Sequence, residues 1–327
     1  MTWLVIGSNS FSGASFCAHL LKSGEEVFGT SRSDEVALSF RPYGWGNLAG
    51  GFRFKKIDLN HDLDGLMTLI AEIKPRFIVN YAAQSMVGQS WEQPEDWMMT
   101  NAVSTTKLFE RLRHVDQLER YVHVTTPEVY GSTDGWVDED TAFNPSTPYA
   151  VSRAAGDMSL LAYHKNYGLP MVMTRASNVY GPGQQLYRII PRTIMTALTG
   201  KKMELHGGGL SERSFINIDD VSVATQLIAK TGADGACYHI STDRQITIRA
   251  LVEMVLGELG VDFDNSVEII DDRQGKDQSY LLSSDRLRAL AWSDRISLEN
   301  GVAQTIFWAR DQLEYLRAAP LSYIHKP

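Results

Sequence analysis

The sequence predicts an α/β protein: a doubly wound parallel sheet with a smaller C-terminal α/β unit. Three observations carry that prediction. Short apolar runs alternate with helix-patterned segments over residues 1–175. A turn of mostly small residues, Gly7-Ser8-Asn9-Ser10-Phe11-Ser12-Gly13, joins the first run to the first helix. Beyond residue 175 the alternation becomes irregular, yet no linker intervenes. The second unit, 176–327, is therefore expected to interleave with the first and to lend its sheet strands near 214–240.

Composition narrows the function. The chain has 327 residues, 31 Lys and Arg against 39 Asp and Glu, and a net charge of −8. That balance disfavours a nucleic-acid or anionic-membrane binder. Cys17 and Cys237 form no metal or redox spacing and suit a reducing compartment; no metal site is expected. No apolar run approaches the ~20 residues of a membrane span. The first residues lack a basic leader with a cleavage site, so a cytoplasmic protein is expected.

Residues 3–6 read as the first strand. The helix after the turn has Phe16, Leu20 and Leu21 on one apolar face and ends at Gly24, and Glu26 to Thr30 is the next strand. In this context a dinucleotide pyrophosphate approaches backbone N–H groups at a helix N-terminus. Gly7, Asn9, Ser10, Phe11 and Gly13 are thus expected cofactor positions, and the sheet is expected to be of Rossmann type. The second strand ends in Thr30-Ser31-Arg32-Ser33. A carboxylate at this point serves the ribose hydroxyls of NAD, whereas a cation flanked by hydroxyls suits a 2′-phosphate. Ser31 and Arg32 favour NADP; Asp34 and Glu35 keep NAD as the alternative.

Residues 36–53 read as loop and 54–59 as a third strand. Asp58, beside Leu59, is placed either to accept from an adenine amino group or to cap a helix over 62–73. A strand over 76–83 ends in Tyr81-Ala82-Ala83, whose alanines leave room for a cofactor. Asn101 is expected to open a helix running to about residue 114. The buried run 121–124 then delivers Thr125, Thr126 and Glu128 to a strand's carboxyl end, where parallel sheets bind ligands. Pro148 marks a helix entry, and Tyr149 and Arg153 share a face of the helix to Tyr167. The later elements are a strand over 170–175, a loop over 178–184 and a helix to 198. A strand follows at 213–218, and Asp219-Asp220 is expected to cap a helix over 221–231. A strand at 238–241, a helix over 247–259, a strand at 267–270 and a helix over 298–316 complete the chain. His123 and His239 lie in apolar runs and read as satisfied core residues. Trp91, Trp97, Trp292 and Trp308 read as core or interface.

In combination, several segments resemble the extended short-chain dehydrogenase/reductase family, and within it the nucleotide-sugar 4,6-dehydratases. They are the turn at 7–13, Asn80-Tyr81-Ala82-Ala83, Thr125-Thr126-Pro127-Glu128-Val129-Tyr130-Gly131 and Tyr149-Ala150-Val151-Ser152-Arg153. To these are added Arg175 through Asn178 to Gly181-Pro182, Arg213-Ser214-Phe215, and Asp272-Arg273-Gln274-Gly275-Lys276-Asp277 with Tyr280. The resemblance implies a tightly bound, recycled nicotinamide cofactor and a nucleotide-diphosphate sugar substrate. Tyr149, lowered in pKa by a nearby cation and the cofactor ring, takes the proton of the C4 hydroxyl. Thr126 holds that oxygen, and hydride passes from C4 to the nicotinamide. Glu128 removes the C5 hydrogen, water leaves C6, and the hydride returns to C6. Ser85, Thr126, Asn178, Tyr187, Arg213 and Arg273 are implied substrate contacts, Arg153 a catalytic and ribose contact. The helices at 101–114 and 149–167 are implied to pair in a homodimer.

Three positions depart from the family pattern. Ser10 stands where a middle glycine is usual, and its small side chain preserves the turn. Pro127 stands where the dTDP-glucose branch has an aspartic acid, leaving Glu128 or a water to protonate the leaving hydroxyl. Arg153 replaces the family lysine, keeping charge but changing shape. Alternative readings are a nucleotide-sugar 4-epimerase, a UDP-glucuronate decarboxylase-like enzyme, or a non-catalytic nucleotide-binding protein.

Overall fold

The computed structural model describes residues 1–133, 135–271 and 281–326. The first half contains β1 (Thr2–Ile6), α1 (Phe11–Lys22), β2 (Glu26–Ser31), β3 (Phe52–Lys56), α2 (Leu63–Ile73), β4 (Phe77–Asn80), α3 (Pro94–Met98), α4 (Thr105–Leu112), β5 (Arg120–Thr125), β6 (Trp136–Val137) and α5 (Pro148–Tyr167). The second contains β7 (Met171–Ala176), β8 (Asn178–Tyr180), α6 (Ile189–Leu198), β9 (Met203–His206), β10 (Glu212–Arg213), β11 (Phe215–Asn217), α7 (Ile218–Thr231), β12 (Cys237–Ile240), β13 (Ile246–Thr247) and α8 (Ile248–Leu259). It continues with α9 (Phe263–Ser266), β14 (Val267–Ile270), β15 (Leu281–Leu282), α10 (Asp285–Arg288), α11 (Leu298–Asp311) and α12 (Leu313–Leu316).

Seven strands form one sheet in the order β12-β7-β5-β4-β1-β2-β3, every pair parallel. This is the doubly wound sheet expected. The period-two side-chain rule is visible in β1. Trp3 and Val5 enter one core with Phe16, Leu20 and Ile228, while Leu4 and Ile6 enter the other with Leu66, Phe109 and Leu160. Both faces are therefore covered by helices, as an all-parallel sheet requires. A third core joins α6, α8 and α11 through Ile194, Val255 and Ile306. The strand order reverses between β1 and β4, and their carboxyl ends open the crevice where such sheets bind ligands.

Several boundaries differ from expectation. The third strand is Phe52–Lys56, because β2 pairs Val27 with Phe52 and leaves Asp58 in the following turn. Helix α2 is capped by Asp62, which accepts from Gly65 N, while Asp58 accepts from Asn60 N. The helix expected from Asn101 begins at Pro94 and continues through a π-turn, Met99–Ser104, that contains Asn101. Asn217 rather than Asp219-Asp220 caps α7; buried Asp220 instead accepts from the backbone N–H groups of Arg295 and Ile296. The last long helix stops at Asp311, and Leu313–Leu316 is a separate turn. Residues 38–51, expected as loop, contain three short 3-10 segments.

Candidate active site

The crevice is built from backbone at its centre. Gly7 has φ +83, and a Cβ there would lie 2.5 Å from Ala82 N, so the two strand ends nearly touch. A Cβ on Gly13 would lie 2.4 Å from Gly7 O, which seats α1 directly behind the turn. Ser10 does more than fit. It N-caps α1, accepting from Gly13 N at 3.1 Å and donating to Gly7 O at 2.8 Å. Gly7, Ser10, Ser31, Arg32, Asp58, Leu59, Tyr81, Ala82 and Ala83 line one cleft, together with Gln84 and Thr100. Asn9, Phe11 and Gly13 are not among its lining residues. The Asn9 amide ties the turn to the carbonyls of Ser33 and Asp34, and the Phe11 ring is packed in the core.

Arg32 donates to the Lys326 carbonyl at 2.8 Å, and so does Gln84 at 2.8 Å. The C-terminal residues therefore lie along the edge of the cleft. His325 is fastened there by Asp96, 2.7 Å away, and by stacking on the buried Trp97. Asp34 pairs with Lys56, and Glu35 accepts from Tyr43 and pairs with Arg41.

At the carboxyl end of β5, Thr126 caps a 3-10 turn, Pro127–Tyr130, accepting from Glu128 N. Pro127 holds the first position of that turn, where a missing N–H costs nothing. Tyr149 enters from the first turn of α5, which Thr147 caps. Its hydroxyl lies near Thr126 and feels the charges of Arg153, Glu128 and Arg188. Thr126, Glu128 and Tyr149 are thus brought together. The phenol's pKa differs from the value implied by the resemblance. Burial pushes it above the ordinary value, with Glu128 adding to the rise; Arg153, Thr126 and Arg188 pull the other way without winning. Arg153 is itself buried, and its guanidinium donates to the Val124 carbonyl.

The expected substrate positions are more dispersed. Asn178 starts β8, pairs with Phe215 and donates to the Ser214 carbonyl at 3.2 Å. Arg213 is adjacent on β10, its guanidinium donating to the Glu212 carbonyl. Tyr187 packs edge-on against Tyr323 at 5.5 Å, under the Arg188 guanidinium. Ser85 is exposed on the loop after β4. Arg273, with the rest of Asp272 to Tyr280, lies outside the described residues.

Two sets of site residues escaped sequence reasoning. Arg188 reaches Tyr149 electrostatically from the loop before α6, a contact no local pattern announces. Asn101 accepts from Gln84 N and donates to Gln84 O and to Ser152 Oγ, each at 2.9 Å, and Ser152 donates to Tyr149 O. A polar residue in mid-helix was the available signal, but it read as a helix start. His123 and His239 are buried and partnered, by Tyr121 and by Tyr130 respectively. Trp97, Trp292 and Trp308 are core residues, and Trp91 is exposed.

The comparisons with known proteins bear on this arrangement. A family model described as GDP-mannose 4,6 dehydratase matches residues 4–305. The chain is 32% identical to a trifunctional UDP-glucose 4,6-dehydratase/UDP-4-keto-6-deoxy-D-glucose 3,5-epimerase/UDP-4-keto-L-rhamnose-reductase of Arabidopsis thaliana, over 81% of this chain and 40% of that protein. It thus spans about two fifths of the length of such trifunctional relatives. It is 33% identical to the dTDP-glucose 4,6-dehydratase of Streptomyces antibioticus, over 95% of this chain and 93% of the relative. In structure it is similar to the dTDP-glucose 4,6-dehydratase of Streptomyces venezuelae, solved with NAD bound, at a TM-score of 0.86 and 31% identity, covering 96% and 98% of the two chains. With a family model matched over most of its length, the chain belongs to the GDP-mannose 4,6-dehydratase family, within the extended short-chain dehydrogenase/reductases.

Proposed function

We propose that this protein is a nucleotide-sugar 4,6-dehydratase, converting an NDP-hexose to an NDP-4-keto-6-deoxyhexose. The observation that carries the reading is that Thr126 and the Glu128 charge both act on the Tyr149 phenol. A base for a hydroxyl, a donor for the resulting ketone oxygen and a carboxylate for the adjacent carbon stand together. Tyr149 takes the C4 hydroxyl proton while Thr126 holds the oxygen. Glu128 then takes the proton at C5, which the neighbouring ketone acidifies. Pro127 has no proton to give, so Glu128 passes its acquired proton to the C6 hydroxyl, which leaves as water. Asn178, Tyr187, Arg213 and Arg273 hold the nucleotide diphosphate, the arginines by charge-assisted hydrogen bonds.

The backbone-lined cleft fits a nicotinamide dinucleotide, the Gly7-to-Gly13 turn taking the pyrophosphate and Asp58 the adenine. Held there by these residues, such a group would supply a reversible hydride acceptor for the C4 and C6 carbons. The solved Streptomyces venezuelae relative holds NAD. For this chain we propose NADP, because Arg32 and Ser31 line the cleft while Asp34 and Glu35 are engaged with Lys56 and with Arg41 and Tyr43. We also propose a homodimer through α5 and the helix that runs from α3 through the π-turn into α4, which together expose Met98, Val103, Val151, Met158 and Leu161. Residues 1–175 serve the cofactor, with one later strand, β12, joining their sheet while the expected strand near 214 pairs with β8 outside it, and 176–327 serve the nucleotide sugar, in a cytoplasmic enzyme.

The test is incubation with a panel of dTDP-, GDP- and UDP-hexoses, following product mass. Loss of one water, with solvent deuterium at C5, is expected for one of them. Inversion at C4 without mass loss would instead establish a 4-epimerase. Glu128→Gln separates the two, abolishing water loss but sparing an epimerase. Denaturing the purified protein and identifying the released cofactor by mass spectrometry decides NADP against NAD.

A further inference from the structure

Thr126 and Glu128 ride on a single short turn, and that turn is fastened at both ends by one buried ion pair. At the near end, Thr125 Oγ1 donates to Asp157 Oδ2 at 3.0 Å. The same oxygen accepts from Arg175 Nη2 at 2.9 Å. At the far end, Arg175 Nη1 donates to the Tyr130 hydroxyl, and the guanidinium stands 4.9 Å from the Tyr130 ring centroid. Because the Tyr130 oxygen accepts that hydrogen bond, its own O–H is free to donate to His239 Nε2, 2.7 Å away. His239 then donates from Nδ1 to the Ser283 carbonyl at 3.1 Å, which fixes its tautomer. Asp157 and His239 are fully buried, and Tyr130 and Arg175 are 1% exposed.

The elements involved are far apart in sequence. Asp157 belongs to α5, two turns beyond Tyr149; Arg175 belongs to β7, and His239 to β12. A buried ion pair adds little net stability compared with apolar residues of the same volume. Its geometric effect is larger, since a forked guanidinium and a carboxylate fix direction as well as distance. Here that direction runs from the helix bearing Tyr149 to both ends of the turn bearing Glu128.

We propose that Asp157 and Arg175 are positioning residues: a two-ended clamp, through Thr125 and Tyr130, that holds Glu128 in register with Tyr149 for proton removal at C5. The inference rests on the 4,6-dehydratase reading for its chemistry. Tyr149 is held independently, by the Thr147 cap at the start of α5 and by the Ser152–Asn101 contacts. A loosened clamp should therefore spare C4 oxidation and slow elimination.

The test uses Tyr130→Phe and Thr125→Val, each removing one hydroxyl of the clamp, with Thr125→Ser as the conservative control. In single turnovers, C4 oxidation is followed by the absorbance of reduced nicotinamide, and elimination by water loss and deuterium at C5. Both clamp variants should accumulate reduced cofactor, with elimination slowed on the order of 10²-fold and KM little changed. Thr125→Ser should restore the wild-type partition. Equal slowing of both steps, or no slowing, would overturn the clamp. A second arm needs no turnover. Amide exchange at Gly131 and Asn144, which donate to the Glu128 and Val129 carbonyls, should quicken in the variants while the sheet amides stay protected. Uniform quickening, or none, counts against the clamp. If the wild type releases no water from any nucleotide sugar, the dehydratase reading falls, and the exchange arm still judges the clamp.

Discussion

Two charges pull the Tyr149 proton in opposite directions. Arg153 favours the phenolate and Glu128 opposes it, on top of burial that favours the neutral phenol. The signs give paired predictions. Arg153→Met removes a favourable cation, so the rising limb of the C4-oxidation rate, which reports the Tyr149 base, moves to higher pH. Glu128→Gln removes an opposing anion, so the same limb moves to lower pH, while elimination falls by about 10²–10⁴-fold. Pre-steady-state oxidation rates across pH check both, and shifts of the same sign in the two variants would refute the assignment. Arg153 also lacks a lysine's ability to relay a proton, since its charge is permanent. Its guanidinium instead reaches the end of β5 through the Val124 carbonyl.

Helix α5 carries much of the site's geometry. It supplies Tyr149, Arg153 and Asp157, and it lies tightly against the π-turn at 99–104. Gly156 marks the contact, since a Cβ there would sit 2.5 Å from the Asn101 carbonyl oxygen. Ala is the better helix former by about 1 kcal/mol, but backbone-to-backbone overpacking costs about 1–3 kcal/mol. Gly156→Ala is therefore expected to destabilise, and to disturb Asn101 and Ser152 behind Tyr149. Urea unfolding should show a lower midpoint at unchanged slope. A midpoint at or above wild type would mean that α5 can move away from the π-turn freely. The π-turn itself is the kind of irregularity found at functional sites. Here it aims the Asn101 amide at both Gln84 and Ser152.

For the whole molecule, the buried histidines couple folding to acid. His239 is pushed down to about 3 by burial and then by Arg175, and His123 is pushed well down by burial, then by Arg153 and Arg175. Unfolded, each would titrate near 6.5. Just below that pH the unfolded chain binds protons that the native state refuses, so stability falls as pH falls. The slope is about 1.4 kcal/mol per pH unit for each histidine. Glu139 and Asp220, whose carboxyls are raised by burial, act in the opposite sense at lower pH, so the loss is sharpest just below neutrality. Urea midpoints between neutrality and mildly acid pH test this, and a flat profile would show that the histidines are protonated in the native state.

Local chemistry was enough to read the sheet, the glycine turn and the helix entry at Pro148, because alternation, φ-permissive residues and proline constraints act within a few positions. It also identified Thr126, Glu128 and Tyr149 as candidates, since each follows directly from a strand or helix boundary. It misplaced Asn101 and Asp219-Asp220 as helix openings, and of the two roles it left open for Asp58 the cap belongs to Asp62, because a capping residue is settled by where the backbone turns and not by residue type. Tertiary structure alone decided which way the Tyr149 proton equilibrium leans, since burial is a property of the packed chain. It alone joined Asp157, Arg175 and Tyr130 into one network. Those residues come from three elements, and only the order of strands in the sheet makes them neighbours.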